Sequence, residues 1–148
     1  MVQFKTKSFD ALSNLELYHL LKLRSEVFVV EQNCVYLDID DYDLGALHIL
    51  GFHDDELVAY ARLLPKGYYH QEAGIGRVLT RFQTRHLGYG KLLMEFAISE
   101  TCVRFSTNEI VISAQLYLEK FYSELGFKTE GTSYLEDDIP HIKMRYLN

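Results

Sequence analysis

The chain has 148 residues, 48% of them hydrophobic and 24% charged, and a formal net charge of −6 at pH 7. That length and balance suit one globular domain, residues 1–148, with a real core. The negative charge argues against nucleic acid as a partner, since phosphates need a basic face, and favours a cationic or amine-bearing one.

Residues Met1 to Lys7 carry no apolar signal core. No run approaches membrane-spanning length, so the sequence reads as cytoplasmic, with no membrane partner. Val2 to Lys7 is a short strand. Ser13-Asn14-Leu15-Glu16 is a capping box. Leu17, Leu20, Leu21, Arg24 and Phe28 follow at helical spacing, predicting a helix from Asn14 to about Phe28.

Val29 to Leu44 has no clear period. Asp38, Asp40, Asp41 and Asp43 sit there among aromatic and aliphatic residues. Calcium is the first thought, but the EF-hand pattern needs a central glycine and a closing glutamate, and neither is placed. No metal is therefore expected. A solvated acidic loop is one reading; a functional loop is the other, because connections this long without secondary structure are often functional.

Ala46–His53 and Glu56–Leu64 flank Asp54-Asp55 as an antiparallel hairpin. Pro65, Gly67 and Tyr68-Tyr69 make a loop. Ile75–Thr80 is apolar enough for a buried strand, and Tyr89 to about Arg104 is a helix. Glu109–Ala114 is a strand with an Ile-Val-Ile core. Leu118–Leu125 is a short helix ended by Gly126. Phe127–Tyr134 and His141–Leu147 are late strands separated by Glu136-Asp137-Asp138-Ile139-Pro140. The two cysteines, Cys34 and Cys102, do not make a disulfide framework, and reduced thiols are the simpler reading.

The centre of this order is the passage from the Ile75 strand into the Tyr89 helix. Arg81, Arg85 and His86 precede Gly88 and Gly90, and Leu92, Leu93, Phe96 and Ala97 then recur at helical spacing. Glycines before a helix let the backbone approach a ligand. The first amides of the helix, at the positive end of its dipole, hold anions. A phosphate or pyrophosphate grip is the chemical reading; a plain flexible turn is the alternative. Leu92 follows Gly90-Lys91, so the hydroxyl of a nucleotide phosphate loop is absent, and a third dinucleotide glycine is absent too.

Arg85-His86-Leu87-Gly88-Tyr89-Gly90 resembles the Arg/Gln-x-x-Gly-x-Gly/Ala motif of the GNAT superfamily of N-acetyltransferases. The element order, β-α-loop-β-β-β-α-β-α-β-β, is also the order of that family. Val27 to Cys34, Tyr36 to Asp40, Leu57 to Arg62, Ile75 to Val78 and Ile139 to Ile142 resemble the ElaA branch more closely. The resemblance implies an α/β (α+β) fold: a mixed central sheet of about six to seven strands, flanked by helices and splayed at the motif strand. It implies acetyl-coenzyme A as co-substrate and a small-molecule or peptide amine as acceptor.

From the resemblance, main-chain groups of Val78, Leu79 and Thr80 would pair with the pantetheine arm and polarise the thioester carbonyl. Arg85, His86, Leu87, Gly88, Tyr89, Gly90 and Lys91 would hold the pyrophosphate. Gln115 stands where the family often has an asparagine that contacts the cofactor. Tyr122, in Phe121-Tyr122-Ser123-Glu124-Leu125-Gly126-Phe127, is the candidate acid for the departing thiolate and also touches the cofactor. A core tyrosine is its alternative role.

The attacking amine needs a base, because an ammonium has no lone pair. No family position fixes it. Glu31, His48 and His141 are candidates, acting directly or through water; as alternatives, Glu31 is a surface charge and the histidines are satisfied core residues. Glu31, Asp38, Asp40, Arg62, Asp138 and His141 would line the acceptor pocket, where carboxylates and tyrosines suit a cation. Arg62 could instead pair with one of the carboxylates. Cys34 reads as loop packing or a pocket wall. Two readings of another class remain: an acyl-coenzyme A sensor without turnover, and an interaction domain. A homodimer through the late strands is left open by the sequence.

Overall fold

The computed structural model describes residues 1–148. Seven strands form one mixed sheet: β1 (Gln3–Ser8), β2 (Leu47–His53), β3 (Glu56–Leu64), β4 (Ala73–Thr80), β5 (Glu109–Gln115), β6 (Phe127–Glu136) and β7 (Ile139–Leu147). Their spatial order is β1-β2-β3-β4-β5-β7-β6. Every neighbouring pair is antiparallel except β4 with β5. The parallel pair needs a crossover, which helix α2 (Tyr89–Arg104) supplies.

Alternation along the strands sends side chains to two separate cores. On one face Ile49, Ala59, Ala61, Leu63, Ile110 and Ile112 pack with Leu93, Met94 and Ala97 of α2. Tyr122, from the short helix α3 (Glu119–Glu124), closes the same core. On the other face Leu50, Leu57 and Tyr60 pack with Leu20 and Leu23 of helix α1 (Asn14–Arg24). Fully burying one such leucine stabilises by about 1.5–3 kcal/mol. Ser13 caps α1 in the expected box: its hydroxyl accepts from the Glu16 amide at 3.0 Å, and the Glu16 carboxylate accepts from the Ser13 amide at 2.9 Å.

Three boundaries differ from the sequence reading. The first helix does not end near Phe28; α1 widens into π-helical turns over Ser25–Glu31. In a regular α-helix Glu31 would fall on the same stripe as Leu20 and core-facing Phe28, an unfavourable place for a carboxylate. The wider turns rotate it off that stripe. The last hairpin is tighter than expected: β6 runs to Glu136, β7 starts at Ile139, and only Asp137-Asp138 turn the chain. Both have positive φ, 49° and 62°, as two-residue hairpin turns require. The stretch before the second strand holds a 3-10 turn at Tyr42–Gly45.

Candidate active site

β4 and β5 pair only at Ala73–Ile110 and Gly74–Val111. Beyond those pairs the strands part, leaving Gly76–Thr80 of β4 without a partner on that side. A bulge shapes this free edge. Arg62 opposes Gly76 and Tyr60 opposes Leu79, so one residue of β3 faces two of β4. Arg77 takes a φ of 50°, which costs a non-glycine residue about 1–2 kcal/mol. The bulge also changes the strand's phase. Ile75 packs under α2, yet Leu79, four residues on, packs with α1 on the opposite face.

A single 3-10 segment, Phe82–Leu87, carries the chain from the end of β4 to α2. Gly88, at φ 75°, begins the helix with no side chain capping its amides. A Cβ on Gly88 would meet no atom within 4 Å, and one on Gly90 would come no nearer than 3.7 Å, to the Phe121 ring. The protein does not fill this space itself. Uncapped amides at the positive end of a sixteen-residue helix, beside open room, are what a diphosphate needs. His86, Leu87 and Lys91 are exposed around it. Tyr89 is different: its ring is buried and its hydroxyl bonds His53 Nδ1, so it can offer only its backbone.

Arg85 lies back along this approach. Its terminal nitrogens donate to both oxygens of Glu31, at 2.7 and 2.9 Å, and Nε and Nη2 donate to the Thr80 carbonyl. The π-helical turns are what bring Glu31 here. Glu31 therefore lies beside the approach to α2, and both its oxygens are engaged by Arg85. Gln32, the next residue, donates to the Gln115 side chain at 3.2 Å and so spans the gap from the α1 face. Cys34 Sγ reaches the Asp137 carbonyl at 3.4 Å, tying the following loop to the last hairpin. Asp138 is exposed in that hairpin's turn.

Tyr122 is 6% exposed, with edge-on contacts to Phe121 and Phe127 at 5.1 and 5.9 Å between ring centres. Burial pushes its phenol well above the ordinary value, with a smaller contribution from Tyr117. A phenol is protonated at neutral pH without any shift, so burial keeps the proton in place and makes Tyr122 a weaker acid. His48 is fully buried and both ring nitrogens are used: Nδ1 accepts from the Tyr60 hydroxyl at 2.7 Å, and Nε2 donates to the Asp43 carbonyl at 2.9 Å. Burial lowers its pKa and keeps it neutral. It is a satisfied core histidine. His141 is held differently. Nδ1 donates to the Ile139 carbonyl at 2.6 Å, so in the neutral ring the lone pair sits on Nε2, 3.4 Å from a Glu136 carboxylate oxygen.

Asp38, Asp40 and Arg62, expected along an acceptor pocket, are turned toward one another. Arg24 donates to Asp38 at 2.8 Å and to Asp43 at 2.6 Å. Arg62 grips both oxygens of Asp40, at 2.6 and 2.9 Å, and reaches Asp43 at 3.1 Å. Arg77, on the bulge, donates to the Asp38 carboxylate and carbonyl, both at 2.8 Å. Burial alone would raise the Asp43 carboxyl, but the Arg24 and Arg62 guanidinium groups hold it below its usual value. These six charges cancel and pin the loop before β2 onto the sheet. The physical reason is burial: charges this enclosed must be paired.

Sequence reasoning missed several members of this arrangement. Arg24 read as one more residue on a packing stripe. Arg77 gave no turn signal, since positive φ is expected of glycine or asparagine. Ser113, Tyr134 and Glu136 were not singled out, although Ser113 and Gln115 alternate with Ile112 and Ala114 in a strand that otherwise reads apolar. That alternation was the available signal of a half-open face.

A sheet parted beside an uncapped, glycine-led helix start, with an arginine at hand, has room for an extended ligand that carries a diphosphate, and similarity to known proteins gives the class, the GNAT acyltransferases. The description of a GNAT acetyltransferase domain matches residues 19–148. Protein ElaA of Escherichia coli strain K12 is 42% identical over 147 residues, covering 97% of this chain and 95% of that one. A solved acyl-CoA N-acyltransferase from Pseudomonas aeruginosa has a TM-score of 0.93 at 39% identity, over 99% of each chain. The solved structure of E. coli ElaA has a TM-score of 0.91, also at 39% identity over 99% of each chain. The chain belongs to the GNAT acetyltransferase family, in its ElaA-like branch. No helix is long and apolar enough to cross a membrane.

Proposed function

We propose that the protein is an acetyl-coenzyme A-dependent N-acetyltransferase, one catalytic domain that transfers directly to an amine acceptor. One observation carries this reading: the free β4 edge at Gly76–Thr80 and the open start of α2 lie at the two ends of one short segment, Phe82–Leu87. A diphosphate held at one end lets an extended arm run to the other.

Bound there, acetyl-coenzyme A supplies an activated acyl carbon. The chain's part is then to bind, orient and move protons. The amides of Gly88 to Lys91, with Arg85, hold the diphosphate. Main-chain groups of Val78 to Thr80 pair with the arm and place a donor on the carbonyl oxygen. Gln115 borders the arm from the β5 side. Tyr122, a phenol protonated at neutral pH, donates to the leaving thiolate. His141 is favoured over Glu31 as the base that takes the amine's proton, because its Nε2 carries a lone pair while both Glu31 oxygens hold Arg85.

The test combines calorimetry with acetyl-coenzyme A and thiol release over a panel of amines. Binding together with amine-dependent thiol release is expected. Binding without release from any amine would favour a sensor. No heat and no thermal shift would leave an interaction domain.

A further inference from the structure

Resting on the transferase reading above, we propose that Glu136, with Ser113, Tyr134 and His141, forms a cradle for the primary ammonium group of the acceptor, and that Glu136 restricts the acceptor to cationic amines.

Register puts these side chains on one face. Tyr134 and Gln115 both pair directly with His141, and residues opposite one another in an antiparallel pair share a face. Ser113 and Glu136 each lie two residues from one of these and point the same way. The alternate residues Ile112, Ala114, Ile142 and Met144 fill the core beneath α2. The Gln115–Gln32 hydrogen bond identifies the cradle's face as that of the π-helical turns. The cradle thus sits at the wide end of the β4–β5 gap, on the side away from α2.

Its chemistry is that of an ammonium site. Glu136 pairs with no lysine or arginine. The nearest cationic side chains on β7 are taken elsewhere: Lys143 leans to Glu130 at 3.6 Å, and Arg145 is shared among Glu72, Glu109 and Glu130. The polar groups near Glu136 are Ser113 Oγ, 3.4 Å from Oε1, and His141 Nε2, 3.4 Å from Oε2. Ser113 is bonded in turn to the Tyr134 hydroxyl. The Tyr134 ring stacks on the His141 ring at 6.2 Å. Burial, and after it the Glu136 charge, push the Tyr69 phenol upward. One half-open carboxylate beside the Tyr134 ring and hydroxyl is a geometry that attracts a cation.

His141 completes the step. It is 7% exposed, and its Nδ1 proton is fixed on the Ile139 carbonyl. An N–H bond of the ammonium breaks, the electron pair stays on nitrogen as the lone pair that attack requires, and the proton joins Nε2. The imidazolium so formed remains paired with Glu136. Binding and deprotonation are in this way divided between two side chains.

The experiment uses the full chain with butylamine, spermidine and lysine methyl ester as probes. Steady-state thiol release from acetyl-coenzyme A is compared for wild type, Glu136→Gln and His141→Gln. Binding of each amine to the complex with desulfo-coenzyme A is followed by NMR. Glu136→Gln is expected to raise the amine KM about tenfold, the loss of one charge-assisted contact, with acetyl-coenzyme A affinity kept. His141→Gln is expected to lower kcat by a larger factor than it changes the amine KM. An unchanged amine KM in Glu136→Gln overturns the cradle and leaves the transferase reading in place. Amine binding that Glu136→Gln abolishes, without thiol release in wild type, keeps the cradle and removes the transferase reading. Neither binding nor release overturns both.

Discussion

Two sets of charges are paired in this molecule, and burial separates their roles. Arg24, Arg62, Asp38 and Asp43 are all less than a tenth exposed; with Asp40 and Arg77 they answer one another's charge. Arg85 and Glu31, at the edge of the gap, are a third or more exposed at the side chain and pair in plain reach of solvent. Both sets pair arginine with a carboxylate. In the first set a new ligand would have to displace a partner from a low-dielectric site. In the second it exchanges with a partner that water already screens. Acidic and basic residues in a sequence therefore say little about a substrate until their depth is known.

The sharpest way to break the contrast is to remove one buried carboxylate. Asp43→Ala leaves Arg24 and Arg62 under-compensated and should cost about 3–5 kcal/mol of stability, read from urea unfolding midpoints. Glu31→Ala, its exposed counterpart, should cost under about 1 kcal/mol. Equal losses would erase the distinction. Tyr122→Phe should lower kcat about a hundredfold while calorimetry finds acetyl-coenzyme A affinity unchanged. A variant with full turnover would make Tyr122 a packing residue only.

Arg85→Gln should weaken acetyl-coenzyme A binding about tenfold with the unfolding midpoint unmoved. Glu31→Gln should tighten it, because the competing carboxylate is gone; weaker binding instead would show that Glu31 positions Arg85 rather than competing for it.

The smallest effects lie in pH. His48 has a lowered native pKa because burial disfavours its charged form. As pH falls below about 6.5 the unfolded chain takes up a proton that the native one refuses, so stability should begin to decline there. Burial would raise Asp40 and Asp43, but their arginine partners outweigh it and hold both native values low. The stability they contribute is present above about 3.9, the unfolded carboxyl value, and is lost as pH falls through the lower native values. Urea midpoints taken between pH 8 and 3 should show a shallow slope, then a steeper one. A flat profile to pH 4 would remove His48 from the account.

The difference in depth also explains what could be read from residues alone. Local signals carried the strands, the capping box, the Asp54-Asp55 turn and the span Tyr89–Arg104, because each rests on neighbours within a few positions. The glycine-led helix start was legible for the same reason. Residues 29–44 showed no period because their side chains are placed by partners far along the chain, as with Asp38 and Arg77. The bulge at Arg77 left no trace either: its backbone is held by tertiary ion pairs, where a turn would have used glycine. Glu136 and His141 meet only through hairpin register, which shifts near Gly131 where β6 carries its own irregularity.

The thinness of the β4–β5 junction has a mechanical consequence. Two residue pairs join a four-stranded portion to a three-stranded one. That seam is the natural hinge of the sheet, and the gap that admits an arm of substrate is also where the two portions could flex. A molecule lodged there stitches them together, so occupancy should quieten backbone opening on both sides of the seam, and amide exchange along β4 and β5 would slow more than exchange along β1 or β2.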